Sequence, residues 1–253
     1  MLCVLTNDKL QAIHEALAVP NLSSEESMMS YVSHGVQASP FSWTKIFNDP
    51  DAVVNADRGR YQCELSEQRV RRSDREKRLR DILVHIHDAH LSHLGKPWDH
   101  AILLSSTQSP YLTPSNRVKA RQPVHAQKRH RDIANDLELP TGELVAPGAY
   151  IVLLAVMPHT ALDVYVPSRK CLVRIRIPIG HALVLPANTV HRGIGFMDKG
   201  KDPKLALHIR LHWYVTRHEL VLPDGFLNEK TDWSLCGEKI PTRLDCIDHT
   251  SES

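Results

Sequence analysis

Histidine is the first residue type in this sequence that could carry chemistry, because 16 of the 253 residues are histidines. Imidazole is the commonest metal-ligating side chain, and it titrates near neutral pH. Candidate functional side chains lie at the His-x-Asp triplet of His130 and Asp132, at His191 and at Arg210. Residues two apart on an extended strand share a face, so we expect His130 and Asp132 to point the same way. His191 follows a predicted turn at 186–188, and Arg210 lies in a segment of alternating polarity.

Six segments with strand-like patterns must position these side chains. Their apolar residues run continuously or alternate with polar ones, and proline or glycine turns separate them. The predicted strands span 99–105, 149–156, 161–166, 171–179, 182–186 and 205–216. In the last strand, the apolar residues at odd positions from Leu205 to Val215 face one way and Arg210 faces the other. Short strands at this spacing favour a β-sandwich or barrel.

Two helices are predicted before the strands. In the first, apolar residues repeat at helical spacing from Leu10 to Leu17. The second begins with the capping box Ser73-x-x-Glu76 and is expected to end near Gly95. We expect the helices to cover the apolar face of the strands.

The predicted domain organisation has three parts. A helical N-terminal region at 1–97 packs on a β core at 98–222, and a C-terminal extension at 223–253 follows. The fold class is α+β and mainly β. Residues 21–60 and the extension show no sustained periodicity, so neither receives a predicted element.

Composition and charge exclude several classes of protein. Hydrophobic residues make up 42% and charged residues 24%, which is ordinary for a globular protein, and the net charge is only +2. Five scattered cysteines are an odd number, which favours reduced thiols and an intracellular location, cytoplasmic or nuclear. No apolar run approaches the roughly 18–20 residues of a membrane span, and the N-terminus lacks the pattern of a secretory signal.

The order of these motifs resembles the Fe(II)/2-oxoglutarate-dependent dioxygenases over roughly residues 98–216. The shared features are the His-x-Asp triplet, a distal histidine some tens of residues later, and an arginine on a late strand. Thr160 to Arg169 is also similar to a strand and turn of the phytanoyl-hydroxylase-like branch, with Ser168-Arg169 where that branch commonly has Ser-His. The resemblance implies a double-stranded β-helix, which is a jelly-roll barrel, with buttressing N-terminal helices.

The same resemblance implies an active site and its cofactors. His130, Asp132 and His191 would hold Fe(II), because two imidazoles and one carboxylate leave adjacent coordination positions open. The cosubstrate 2-oxoglutarate would occupy two of these positions, and its far carboxylate would pair with Arg210, whose guanidinium binds carboxylates bidentately. With O2, such a site hydroxylates or oxidatively demethylates a substrate, which the sequence does not identify.

Other histidine and aspartate pairs receive a structural interpretation. His159 and Asp163 are four apart on a strand, about 13 Å, which is too far to chelate one ion. His90 and His93 lie on the second helix without a further ligand pair, so a solvated helix face is favoured over a metal site. The His-Arg-Asp triplet also begins a kinase catalytic loop, but the other kinase motifs are missing from the sequence.

Two further functions stay open. The first is a non-catalytic jelly-roll binding module. The second is a cupin-type metalloenzyme without 2-oxoglutarate, because Gly180 to His191 resembles the second cupin motif, although the first cupin motif is missing from the strand region.

Two basic runs, at 58–80 and 117–131, bear on possible partners. We interpret them as a solvated, salt-bridged helix face and a basic loop. The alternative is an anionic substrate, or a nucleic-acid backbone, at the mouth of the site.

Overall fold

The computed structural model describes residues 1–17, 44–45, 60–65, 74–98, 103–108, 126–127, 129–157, 160–194, 207–222 and 244–245. Two α-helices lie in these ranges, α1 (Asn7–Ala16) and α2 (Asp74–His90). The strands are β1 (Leu2–Cys3), β2 (Thr44–Lys45), β3 (Arg60–Glu64), β4 (Lys96–Pro97), β5 (Leu103–Gln108), β6 (Ala149–Ala155), β7 (Ala161–Val166), β8 (Cys171–Arg176), β9 (His181–Pro186), β10 (His191–Gly193), β11 (Leu207–Thr216) and β12 (Leu244–Asp245).

The strands form two sheets. The larger has the order β1-β9-β6-β11-β5-β3-β2, with β4 also paired to β11, and the smaller has the order β10-β7-β8-β12. Neighbouring strands are antiparallel, except that β12 runs parallel to β8. Antiparallel sheets with few helices confirm the predicted mainly-β class.

Strand β11 carries the apolar row predicted from its alternating sequence. Its odd-numbered side chains from Ile209 to Val215 are buried in one cluster with Ile13 and Leu17 of the α1 end and Leu83 of α2. Burying a large aliphatic side chain contributes about 1.5–3 kcal/mol, so this row fixes the orientation of the whole strand. The opposite row, which contains Arg210, therefore faces away from the helices, as predicted.

A second apolar layer joins the two sheets. Leu153 of β6 and Leu183 of β9 belong to the same buried cluster as Leu162 and Val164 of β7. Because β6 and β9 lie in the larger sheet and β7 in the smaller, this cluster packs the sheets face to face. The region between the sheets is where the even-numbered row of β11 points.

The helices are anchored to the larger sheet by polar contacts as well. The side chain of Thr6 caps α1 by accepting a hydrogen bond from the backbone N–H of Lys9. The Nε2 atom of His14 lies 2.8 Å from the carbonyl oxygen of Val156, just past β6. These contacts fix the end of α1 against the sheet.

Helix α2 ends earlier than the sequence predicts. It stops at His90, and a short 3₁₀ turn, Ser92–Leu94, leads to Gly95. Gly95 has a φ of 137°, and a Cβ atom at this position would collide with the carbonyl oxygen of Thr216. Glycine is required here because the turn must pass directly against the end of β11.

Short strands account for most departures from the predicted elements. β1, β2, β4, β10 and β12 each have two or three residues, too few to show a period of two. The sequence analysis also does not predict β3. Three strands that precede residue 98 pair with strands of the core, namely β1, β3 and β4. Some predicted elements begin or end at residues outside the described ranges, namely Ser73, 99–102 and 205–206.

Candidate metal centre

Two distant segments of the chain meet through their main chains at His130 and His191. The backbone N–H of each residue donates a hydrogen bond of 3.0 Å to the carbonyl oxygen of the other. On one side of this bridge, the N–H of Gln127 bonds to the carbonyl of Gly193, and the N–H of Gly193 bonds to the Gln127 side chain. His191 itself begins β10, which pairs with β7 of the smaller sheet.

Asp132 lies in a bend immediately after this bridge, whereas the sequence analysis assumes an extended conformation for the His-x-Asp triplet. The next residue, Ile133, is fully buried, and its N–H donates to the carbonyl of Ala187. The bend still turns the Asp132 carboxylate towards both histidines. The expectation that His130 and Asp132 converge is therefore met by a different local structure.

The three side chains form a compact, buried cluster. Oδ1 of Asp132 lies 3.4 Å from Nε2 of His130 and 3.6 Å from Nε2 of His191. One ligand atom from each residue lies within 4.8 Å of the others, and the residues are only 2–6% exposed. Ligands about 2.1 Å from a common ion at right angles are about 3 Å apart, so small side-chain adjustments suffice to hold one.

The hydrogen bonding of His191 engages Nδ1 and leaves Nε2 as the prospective metal ligand. Its Nδ1 atom lies 2.9 Å from the carbonyl oxygen of Thr189, which can only accept a hydrogen bond. Nδ1 therefore carries a proton, and Nε2 is the nitrogen that faces Asp132. A backbone carbonyl that fixes the tautomer in this way is typical of metal-ligating histidines.

The Asp132 carboxyl group stays ionised in this setting. Its burial by itself raises the pKa, but His191, His130 and His212 and a hydrogen bond from Tyr214 outweigh that effect and lower the pKa below its usual value. The carboxylate thus has the charge that a divalent cation requires. Two imidazoles and one carboxylate are a donor set suited to Fe(II), among other first-row metals.

The polar row of β11 faces this cluster. Tyr214 donates a hydrogen bond of 2.6 Å from its hydroxyl to Oδ2 of Asp132. The rings of Tyr214 and His212 are 4.9 Å apart, and Nε2 of His212 is buried without a hydrogen-bond partner among the described residues. Burial lowers the pKa of His212 to about 4, so its ring is neutral near pH 7.

Arg210 is half-buried on the same row. Burial lowers its pKa, while the negative charge of Asp132 and the proximity of Tyr214 act in the opposite direction. Because a guanidinium titrates so far above neutrality, Arg210 keeps its positive charge. The structure thus places Arg210 within electrostatic range of the cluster that contains Asp132.

Asp163, the rival candidate, has a different environment. It is fully buried, and its carboxylate pairs with Arg174 at 2.8 Å and with Arg192 at 3.0 Å. The three residues are adjacent in register across β8, β7 and β10. These ion pairs agree with the structural interpretation of Asp163, and His159 lies outside the described residues.

The histidines of α2 divide into two groups. His85 and His90 of α2 are exposed, as is His93 in the 3₁₀ turn that follows, in keeping with the expected solvated face. His87 does not lie on this solvated face. It is buried, and its Nε2 atom lies 3.1 Å from the carbonyl oxygen of Gly95. Within the described part of the chain, His130, Asp132 and His191 are the one group of three or more side chains placed to hold a metal ion.

Tyr214 and His212 are site residues that the sequence analysis does not select. Both share the face of Arg210 on β11, which was the available signal. Their proximity to Asp132 depends on how β11 lies against the bend after His130, and this follows only from tertiary packing.

On α2, the basic side chains of Arg75, Lys77 and Arg78 are exposed to solvent, whereas Arg80 is partly buried. Arg78 pairs with Glu15 of α1 at 3.0 Å, and Arg80 pairs with Asp81 at 3.7 Å. Residues 66–73 and 109–125 lie outside the described residues. No helix within the described ranges is both long and apolar enough to span a membrane.

Comparisons with known proteins found similarity to solved structures of low sequence identity. No protein-family model matches the sequence, and no curated protein matches it. The chain is similar to the non-heme alpha-ketoglutarate-dependent epimerase SnoN from nogalamycin biosynthesis, with 11% identity, a TM-score of 0.47, and coverage of 85% of this chain and 75% of SnoN. HygX from Streptomyces hygroscopicus, solved with nickel and 2-oxoglutarate bound, has 10% identity, a TM-score of 0.43, and coverage of 86% and 89%.

A third structure is the rice dioxygenase for auxin oxidation, with 9% identity, a TM-score of 0.41, and coverage of 88% of this chain and 74% of that one. The phytanoyl-hydroxylase-like branch stays a prediction.

Proposed function

We propose that the protein is an Fe(II)- and 2-oxoglutarate-dependent dioxygenase that hydroxylates, or oxidatively demethylates, a substrate still to be identified. The observation that carries the proposal is the convergence of His130, Asp132 and His191 in one buried cluster. When bound, Fe(II) and 2-oxoglutarate would use O2 to replace a C–H hydrogen by hydroxyl, with release of succinate and CO2. The resident donor set fits that ion, and three protein ligands would leave coordination positions for the cosubstrate.

Each ligand has a defined task in this proposal. His130 and His191 offer Nε2 atoms, and the carbonyl of Thr189 holds the His191 ring in the required tautomer. Asp132 offers Oδ1 and supplies one negative charge. Burial of the cluster limits access of bulk water, which strengthens the electrostatic interactions within it.

Arg210 would bind the far carboxylate of 2-oxoglutarate. It projects from the central strand β11 on the same face as Tyr214, which contacts Asp132 directly. A guanidinium binds a carboxylate through two parallel hydrogen bonds, and the far end of a dicarboxylate would offer such a group. Neutral His212, between Arg210 and Tyr214 on that face, adds no competing positive charge.

The finer fold and domain assignments belong to the same proposal. We infer that the two facing sheets are those of a double-stranded β-helix, with a core at 98–222 and flanking regions at 1–97 and 223–253. The packing of Leu153 and Leu183 against Leu162 and Val164 supports facing sheets. The basic side chains of α2 lie on the helix layer, which packs on the face of β11 opposite Arg210, so they do not line the candidate centre. An anionic substrate stays part of the proposal, and nucleic acid is the less favoured alternative.

Anaerobic titration with Fe(II) and then 2-oxoglutarate tests the function. We expect stoichiometric Fe(II) binding and a metal-to-ligand charge-transfer band that requires both additions, followed by succinate formation when O2 is admitted. Metal binding without 2-oxoglutarate turnover would favour a cupin-type metalloenzyme, and failure to bind metal would favour a binding module.

A further inference from the structure

Tyr214 and Asp132 form a short, buried hydrogen bond beside the candidate ligands. The hydroxyl oxygen of Tyr214 lies 2.6 Å from Oδ2 of Asp132. Both residues are only 2% exposed. An ionised carboxylate can only accept, so the phenol is the donor, and the distance is in the range of charge-assisted O–H···O⁻ bonds.

The two oxygens of Asp132 consequently have different surroundings. Oδ1 faces Nε2 of His130 at 3.4 Å and Nε2 of His191 at 3.6 Å. Oδ2 is bonded to Tyr214 instead. One oxygen is thus directed to the prospective ion, and the other is held away from it.

The Tyr214 ring is itself fixed in place. The ring of Trp98 contacts it edge-on at 6.3 Å, and the ring of His212 lies at 4.9 Å. The backbone carbonyl of Tyr214 accepts a hydrogen bond from the N–H of Trp98. Strand β11 is paired on both sides, with β5 and β6, so its position is set by the sheet rather than by the site.

We propose that Tyr214 is a positioning residue that keeps Asp132 a one-oxygen ligand of the metal. The inference rests on the proposed metal centre and goes beyond it, because it assigns the coordination mode to a residue outside the ligand set. In a six-coordinate site, two imidazoles and one carboxylate oxygen leave three positions open. If Oδ2 also bound the ion, only two positions would remain, too few for a bidentate cosubstrate and O2 together.

The test compares Tyr214→Phe with Tyr150→Phe, since each variant loses one hydroxyl group. Tyr150 is half-buried on the adjacent strand β6 and packs against the cluster under the helices, away from Asp132. Metal-free wild-type protein and both variants are titrated with Co(II) and followed by visible absorption, which reports coordination number. We expect the Co(II) dissociation constant of Tyr214→Phe to rise about 10–100-fold with an altered spectrum. Tyr150→Phe should stay within about twofold of wild type, with an unchanged spectrum.

The outcomes separate this proposal from the metal centre itself. Tight Co(II) binding by wild type and by Tyr214→Phe, with identical spectra, overturns the role of Tyr214 and leaves the metal centre standing. Lack of stoichiometric Co(II) binding by wild type overturns both. A loss of thermal stability with no change in affinity or spectrum shows that Tyr214 has a packing role only, which also overturns the proposal.

A crystal structure of Co(II)-loaded wild-type protein gives an answer that does not require the variant to fold. Asp132 bound through Oδ1 alone, with Oδ2 still on the Tyr214 hydroxyl, supports the proposal. Both carboxylate oxygens on the ion, or a Tyr214 ring turned away from Asp132, contradict it.

Discussion

The indole nitrogen of Trp213 donates a hydrogen bond to Nδ1 of His87, 3.3 Å away in the buried interior. Trp213 lies on β11 between His212 and Tyr214, whereas His87 lies on α2. Since Nδ1 must accept from Trp213, the His87 proton resides on Nε2, which donates to the carbonyl of Gly95. A neutral histidine thus connects the helix layer to the strand that faces the candidate metal centre.

We predict that protonation of His87 destabilises the fold. Burial lowers the pKa of His87 below the ordinary value of 6.5, so the unfolded chain binds this proton more readily than the folded one. The stabilising contribution of neutral His87 is therefore complete above about pH 6.5 and is lost progressively as the pH falls below that value. Urea unfolding at pH 7.5 and 5.5 should show a lower free energy of unfolding at pH 5.5.

The His87→Gln variant attributes that change to the correct residue. It should be less stable than wild type at pH 7.5 and show a smaller loss of stability at pH 5.5. His85→Gln, on the exposed face of the same helix, should retain the wild-type pH dependence. An undiminished pH dependence in His87→Gln would contradict the prediction.

Alanine at His130, Asp132 or His191 should abolish iron retention and leave the fold intact. The bonds that join His130 to His191 are between main-chain atoms, so alanine preserves them. Loss of groups that merely support a ligand weakens metal binding 10–100-fold, so loss of a ligand should exceed about 100-fold. Iron content after anaerobic loading and desalting measures this, with circular dichroism for the fold.

His181→Ala provides the control for the ligand variants. His181 lies on β9, and its Nδ1 atom is 3.2 Å from the backbone carbonyl oxygen of Ile179, so its ring is not part of the candidate metal centre. This variant should retain iron as wild type does. Full iron and activity in two of the three ligand variants would show that the ligand assignment is wrong.

Arg210→Lys should raise the KM for 2-oxoglutarate about tenfold or more without lowering the iron content. Lysine keeps the positive charge but loses the bidentate geometry, and a tenfold change corresponds to about 1.4 kcal/mol. Steady-state kinetics with varied 2-oxoglutarate gives the KM, and Arg176→Lys, at an exposed position on β8, serves as the control. An unchanged KM would reject Arg210 as the cosubstrate anchor.

Asp163→Asn should destabilise the protein without affecting metal binding. The carboxylate is fully buried between Arg174 and Arg192, whose side chains are 34% and 21% exposed and thus partly hydrated. We therefore expect a loss of about 1–3 kcal/mol, below that for a fully buried pair. Urea unfolding measures the loss, and reduced iron content in a folded Asp163→Asn protein would assign Asp163 to the site instead.

Sequence periodicity was most informative where long elements carry one-sided apolar patterns. The alternation along β11 predicted that the row from Ile209 to Val215 packs under the helices and that Arg210 faces the other way. His130 and Asp132 were correctly expected to converge with His191, although the bend at Asp132 was not foreseen. These features were accessible because local spacing largely determines which side chains share a face.

The remaining features depend on contacts between residues far apart in the chain. The sequence does not show that Tyr214 reaches Asp132, nor that His87 is buried against Trp213, because both pairs lie on different elements. Two-residue strands such as β1 and β4 form because a neighbouring strand offers open hydrogen-bonding groups. Their own sequences are too short to indicate them.

The paired main-chain hydrogen bonds between His130 and His191 bear on whether folding or metal binding comes first. Two prospective ligands that are far apart in sequence are held together by main-chain hydrogen bonds, which do not involve the ligand atoms. The metal-free protein should therefore be a preorganised receptor, whose conformational entropy was already lost in folding. Ion capture then follows folding rather than driving it, so the protein should survive chelation and accept a fresh ion without passing through the unfolded state.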